Sequence, residues 1–458
     1  MADPDTSSAT ASRYFLPCAS LFIAAMAAML ALSLPYGFQY RLTEQSRPVV
    51  MTAAAVLLLG ALWVVGQQIV KISMRPAVGQ CLPSEGSSLA YLLPLPLLAL
   101  SVYFDTAMLS AMAIAAAGLL IVLVLAIGML APRRPQAFSL VLVTILVVQS
   151  WIGIVTPNDI EAANMLPMVQ AVCNDVANGA NPYRLGYEKI SSFDLHYFPA
   201  LIAPYCPLEW LGTDVRWLNV VVLGSFVLVL MRLRRGPEGN RIAAVLVAMI
   251  LASPFFAQMM AHGHTLIYFL MAFGLPLSVI ARRYLLAAVL AGAMLATYQL
   301  AVFLSIPVAL WVLLNSTIER RYLYLVIAAG VAFALLLPAY LAAPDFFTRF
   351  FIDLSSGVAQ RVRSVSEPFD QVALTGLLQQ ILSNQTLTLL QFAALAGGCA
   401  TLVRRSRSTP AQLFVLTGWI YCLIIAMTPF VSRYFYIPGL LFVFAAIAAT
   451  DDASPRGA

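Results

Sequence analysis

Charge is scarce throughout this sequence. Asp, Glu, Lys and Arg together make up 10% of 458 residues, against roughly 25% in an ordinary soluble domain. Most of the chain therefore has no means of building a water-facing surface. The net charge of +6 is no sign of nucleic-acid affinity, because the basic residues sit at the ends of apolar runs, where they set the orientation of membrane segments. Only three histidines occur, and none stands in a zinc or manganese signature, so no metal and no other cofactor is expected. A nucleotide phosphate loop is missing too, which speaks against a nucleotide-sugar donor at the inner face. A cleavable signal peptide of the usual form is also absent. The first apolar run, residues 14–36, is long enough to span a bilayer and reads as a signal anchor.

What is abundant is apolar surface: 61% of the chain, with a mean hydropathy of +0.88. The fold class expected is an all-α integral membrane protein with about 12–14 spans of roughly 20 residues each. Runs that read as spans are 14–36, 49–70, 88–104, 106–131, 137–155, 217–232, 242–260, 263–281, 284–298, 300–315, 322–343, 384–403, 411–428 and 432–449. With the N-terminus inside, alternate loops collect the cations. These are Lys71 and Arg75; Arg133 and Arg134; Arg232, Arg234, Arg235 and Arg241; Arg282 and Arg283; Arg320 and Arg321; and Arg404, Arg405 and Arg407. This is the positive-inside asymmetry repeated loop after loop.

Residues 282–321 carry basic clusters at both ends and no charge between them. Two short helices folding back near Tyr298 and Gln299 keep both clusters inside; one long tilted helix is the alternative. Helices of about 15 residues fall short of a ~30 Å hydrocarbon core, so they should line a protein-buried cavity or thinned bilayer.

The topology sorts the polar residues. Outer loops 156–216 and 344–383 hold nearly all the chemistry-bearing side chains, while the inner loops hold little besides Arg and Lys. Asp159 and Glu161 follow directly on the span 137–155. In residues 159–178, Met165, Val169, Val172 and Val176 recur at helical spacing, with Asn164, Gln170, Asn174 and Asp175 on other faces. That is the pattern of a helix lying in the interface. Pro167 interrupts it or opens its second half, Gly179 is a helix stop, and Asn181-Pro182-Tyr183 reads as a turn. The run 196–212 is apolar and aromatic but broken by three prolines, so it dips into the interface. Cys173 and Cys206 share this loop and can either pair, if the face is oxidising, or pack as thiols.

An outer-face acid just after a span, a short amphipathic helix, the NPY turn at 181–183, HYFP at 196–199 and LGTDVRWLN at 211–219 opening the next span together resemble the polytopic glycosyltransferases of the GT-C class. Within that class the chain is most similar to family 87, which includes polyprenyl-phosphate-mannose-dependent mannosyltransferases. The resemblance continues through HGHTLIYF at 262–269 and the short hairpin at 284–315. It implies N-terminal helices in 1–136, a catalytic core in 137–315 and C-terminal helices in 316–458. Three features depart from the pattern: four spans precede the acidic loop, the hairpin tip reads ATYQ where relatives often carry lysine, and Gly-His replaces a Gly-Gln signature.

The implied reaction transfers one hexose or pentose, with inversion, from a polyprenyl phosphate to a lipid or glycan acceptor. It would take place at the extracytoplasmic face of a bacterial plasma membrane, among membrane lipids and without nucleic acid. Asp159 maps to the family's acid and is the expected general base, with Glu161 as second carboxylate. A local alternative is an N-terminal cap in which Asn158 and Glu161 form a capping-box variant. His196, Tyr197, His262, His264, Gln299, Arg361, Arg363 and Arg433 are expected to hold sugar or phosphate, arginine forks being suited to the latter. The structural alternatives are interfacial anchoring for the histidines and ordinary loop solvation for Arg361 and Arg363. Asp214 and Arg216 read as a local ion pair. Two other classes compete: an O-antigen-type polymerase or ligase acting on diphosphate-linked glycans, and a transporter. A transporter would be expected to show a half-to-half repeat and charge within its spans, and this sequence has no clear repeat and almost no such charge, which counts against the latter.

The loop assignment is directly testable. A cysteine introduced at Asn178 should react with a membrane-impermeant maleimide added outside intact cells, and one at Gly236 only after permeabilisation. The reverse labelling overturns the orientation.

Overall fold

The computed structural model describes residues 20–21, 23–29, 31, 47–73, 89–104, 118, 120–122, 124, 134–156, 165–184, 198–344, 382–405, 409–428 and 433–450. Among these residues the regular structure is helical, with no strand. Expected spans 14–36 and 106–131 lie largely outside them.

Among the described residues four helices are long and apolar enough to cross a bilayer: α1 (Arg47–Ser73), α3 (Arg134–Val155), α13 (Ile318–Ala342) and α14 (Asn384–Arg404). Between α1 and α3 lies α2 (Pro94–Phe104). Shorter apolar helices fill the space among the long ones: α7 (Trp217–Leu233), α10 (Leu266–Ile280), α11 (Tyr284–Leu295), α12 (Val302–Asn315), α15 (Pro410–Ala426) and α16 (Ile437–Ala448). Every residue of α16 is buried, packed against α8 (Glu238–Leu251), α10 and α15. The long helices behave oppositely. Only 6% of the apolar span of α13 is buried inside the protein, with Tyr322, Val326, Phe333 and Leu341 exposed. At 1.5 Å per residue this helix is about 38 Å long, enough to cross a ~30 Å core. An apolar surface of that extent is stable only against an apolar surrounding. The chain is an all-α protein whose outermost helices suit a membrane.

Where the sequence reads one span over 242–260, the chain instead breaks. Helix α8 ends at Leu251, α9 (Pro254–His262) starts three residues later, and the two axes differ by 62°. Pro254 sits at the first position of α9 and the Ser253 hydroxyl accepts from the Phe256 amide, so the local sequence caps a new helix. The carbonyls freed at the break are met by side chains: Ser101 donates to Ala252 O at 2.7 Å, and Gln149 to Leu251 O at 2.9 Å. A broken helix in an apolar body survives only when neighbours satisfy its backbone in this way.

Between Arg282 and Arg321 the chain reverses. The Arg320 guanidinium lies over the Tyr284 ring, 5.8 Å from its centroid, and a side chain on Gly292 would overlap the Ala328 carbonyl. Helices α11 and α13 therefore pack together in parallel, and α12 runs back in the opposite direction to link the end of one to the start of the other. The reversal occupies residues 296–301 and includes a 3-10 turn at Gln299–Ala301.

The amphipathic helix α4 (Met165–Ala177) begins later than the periodicity suggests, with Pro167 in its first turn, where a missing N–H is harmless. Val169 and Val172 are buried, but Val176 is exposed; Leu166, Met168 and Cys173 complete the buried face. Gly179 leaves the helix with φ +74°. The proline-broken run folds as α5 (Pro199–Ile202), a 3-10 turn at Ala203–Tyr205 and α6 (Cys206–Trp210).

Close approach of α15 and α16 gives a test of the packing. A Cβ on Gly418 would stand 2.5 Å from the Gly439 carbonyl oxygen, whereas one on Gly397 would meet nothing within 4 Å. Gly418→Ala should cost about 1–3 kcal/mol and lower the melting temperature in detergent, while Gly397→Ala should not. Equal behaviour of the two overturns the assigned contact.

Candidate functional site

The described chain gathers polar groups at one end of the helices, around the first turn of α7. Two residues three apart, Arg216 and Asn219, share one face there. Both are buried.

Arg216 makes two sets of bonds. Its Nε donates to both oxygens of Asp214 at 3.0 and 2.9 Å, forming the ion pair expected from sequence. Its Nη1 donates to Gly153 O at 3.0 Å and to Thr156 O, the carbonyls that α3 leaves open at its end. Asn219 works on a second chain end. Its amide nitrogen donates to Met260 O at 3.1 Å and Gly263 O at 2.9 Å, and its oxygen accepts from the Tyr205 hydroxyl at 2.8 Å. Burial raises the Tyr205 hydroxyl pKa, keeping it a donor. The amide thus meets three partners in a dry site, where each lost bond that strands a group costs about 1–3 kcal/mol.

These two anchors hold the end of α3 against α9. A Cβ on Gly153 would lie 3.0 Å from the Met260 Cβ. The corner beyond is His262-Gly263-His264. Gly263 donates its amide to Met259 O, and a Cβ there would lie 2.7 Å from that oxygen, so only glycine fits. His262 and His264 are both buried. One turn further on, Tyr268 stacks on Tyr298 with centroids 5.9 Å apart, and Tyr298 meets Phe435 at 5.3 Å. The hairpin tip preceding Gln299 and the 3-10 turn Arg433–Tyr436 are thereby drawn to the same end. The Ala200 amide donates to Ala296 O at 3.3 Å, bringing in the segment just after HYF.

Two further ties secure the surrounding layer. Cys173 and Cys206 form a disulfide, with Cα atoms 5.0 Å apart, resolving the alternative left by the sequence. Glu209 accepts from Gln170 and Asn174, both at 3.1 Å, and the Trp210 indole donates to Cys173 O. In the NPY turn, Asn181 accepts from the Tyr183 amide and donates to Ala342 O at 2.8 Å, at the end of α13.

Of the residues expected to act, His262 and His264 are placed here. For Gln299 and Arg433 the backbone alone is described. Asp159, Glu161, His196, Tyr197, Arg361 and Arg363 lie outside the described residues. Among the described residues no three of His, Cys, Asp and Glu gather at metal-binding spacing. Sequence reasoning missed Asn219 and Tyr205. The available signal was a lone asparagine in the first turn of an otherwise apolar helix, a placement that usually means a function or a partner.

No family model, no curated protein and no solved structure matches this chain.

Burial pushes the Asp214 carboxyl upward, but the hydrogen bonds and charge of Arg216 outweigh it and hold it below its ordinary 3.8. A depressed native pKa adds stability that is present above the unfolded value and lost as pH falls through the native one. Wild type should therefore lose thermal stability below about pH 4 more steeply than Asp214→Asn, measured by melting in detergent. Parallel pH profiles overturn the coupling.

Proposed function

We propose that this protein is a polytopic membrane glycosyltransferase that moves a single sugar from a polyprenyl phosphate to a hydroxyl of a lipid or glycan acceptor. The observation that carries the reading is the convergence around α7. The segments leading to or following Asp159, His196, His262, His264, Gln299 and Arg433 all meet at one end of the helices. They come from five stretches of chain, and a membrane-boundary site for a lipid-linked substrate has that composition. The disulfide between α4 and α6 supports an oxidising compartment at this end, in keeping with the extracytoplasmic orientation drawn from the basic loops.

In this reading the acceptor oxygen attacks the anomeric carbon and forms the new glycosidic bond. The bond from that carbon to the phosphate oxygen breaks, and the polyprenyl phosphate leaves with the electron pair. The Asp159 carboxylate takes the acceptor proton, and one displacement inverts the anomeric centre. Partial desolvation at the bilayer surface would raise that carboxyl and make it a stronger base. His262, His264 and Gln299 contribute donors and acceptors to sugar hydroxyls, and Arg361, Arg363 and Arg433 offset charge on the departing phosphate. His196 and Tyr197 contribute to substrate binding, and Glu161 assists Asp159. The architecture this implies is of the GT-C type.

The test is sugar transfer from a panel of polyprenyl-phosphate monosaccharides, by purified wild type beside Asp159→Asn. Wild type should transfer one sugar, and the equally folded variant should be slower by about 10²–10⁴. Equal rates would move the base elsewhere. Wild type that uses only diphosphate-linked oligosaccharides, or that moves solute without forming a bond, overturns the reading.

A further inference from the structure

Two chain ends that the sequence separates by about a hundred residues are held by neighbouring side chains of a single helical turn. Arg216 takes the carbonyls of Gly153 and Thr156, and Asn219 takes those of Met260 and Gly263. Neither side chain caps its own helix. An arginine bound only to Asp214 would be an ordinary exposed pair of little consequence. Here the carboxylate orients the guanidinium so that its remaining donors reach the end of α3. The asparagine is oriented likewise by Tyr205, which occupies its only acceptor and turns both amide hydrogens toward the α9–α10 corner. The two grips lie side by side, because Gly153 faces Met260 so closely that a Cβ on it would stand 3.0 Å from the Met260 Cβ. Neither end can move without disturbing the other.

We propose that Arg216 and Asn219 are positioning residues. Together they lock the exit of α3 to the His262-Gly263-His264 corner, so that the end of α3 and the histidine corner are held as one unit at the proposed site. The catalytic part of this inference rests on the sugar-transfer reading; the mechanical part does not. Misplacement of reacting groups by about 1 Å can cost on the order of 10²-fold in rate, and the loss falls on kcat when the geometry matters in the transition state. The pair forms one device, so the two losses should not add.

Hydrogen exchange and kinetics on the full-length protein in nanodiscs test both parts, with Arg216→Ala, Asn219→Ala, the double variant, and the gentler Arg216→Lys and Asn219→Ser. In each variant the amides of Thr156 and Gly263 should both exchange faster, by about tenfold for the loss of one buried bond. Per folded molecule, kcat should fall by about tenfold to a hundredfold with a smaller change in donor KM. The double variant should lose no more than the worse single one, and Arg216→Lys should recover part of the rate. Faster exchange confined to the variant's own partner segment overturns the lock. Coupled exchange with unchanged kcat per folded molecule, in a wild type that transfers sugar, overturns the positioning role. If wild type transfers no sugar from any donor, the sugar-transfer reading fails and takes the positioning role with it; exchange then still decides the lock alone.

Discussion

Backbone carbonyls that lose their helical partners inside an apolar body must find donors from side chains, because neither lipid nor packed methyl groups can supply them. The breaks and helix ends of this protein fall where the few polar residues are. Gln149 and Ser101 serve the break between α8 and α9. Arg216 and Asn219 serve the end of α3 and the corner after α9, and Asn181 serves the end of α13. With charge so scarce, each of these polar side chains is committed to particular carbonyls. The helices are consequently fixed by a small number of bonds of high consequence, while the surrounding apolar contacts are many and individually replaceable.

This economy separates two kinds of helix. The short, wholly buried α16 and the mostly buried α8 form an interior that touches protein on all sides. The long α13 and α14 turn most of their apolar surface outward. Glycines mediate the tightest crossings, with Gly418 against Gly439 and Gly292 against the Ala328 carbonyl. Small residues are the usual means of close helix contact where no hydrophobic drive separates protein from solvent.

The layer of α4, α5 and α6 shows how a proline-rich apolar segment is kept from either spanning or unravelling. Its helices are too short to hold themselves, since isolated helices below about 12–15 residues are marginal. The Cys173–Cys206 bond, the Glu209 pair of hydrogen bonds and the Trp210 indole bond fasten it internally. Tyr205 and Ala200 join it to the helices beneath through Asn219 and Ala296. The same bonds that stabilise the layer therefore also orient the gathered polar groups, and stability and site geometry are inseparable here.

Composition and periodicity by themselves determined that the chain is helical and apolar, where its basic ends lie, that α4 is amphipathic, and that the 284–315 segment carries two helices' worth of uncharged sequence. These are properties of residues against their immediate surroundings, and a sequence records them directly. The tertiary structure alone decided that the 242–260 run breaks at Ser253, that Val176 faces outward, that Cys173 pairs with Cys206, and that Asn219 is a tie between segments. Gly263 O lies 44 residues from Asn219, and Thr156 O lies 60 from Arg216. Such bonds depend on where two distant chain ends come to rest. The side chains that make them look, in sequence, like any polar residue at the mouth of a span.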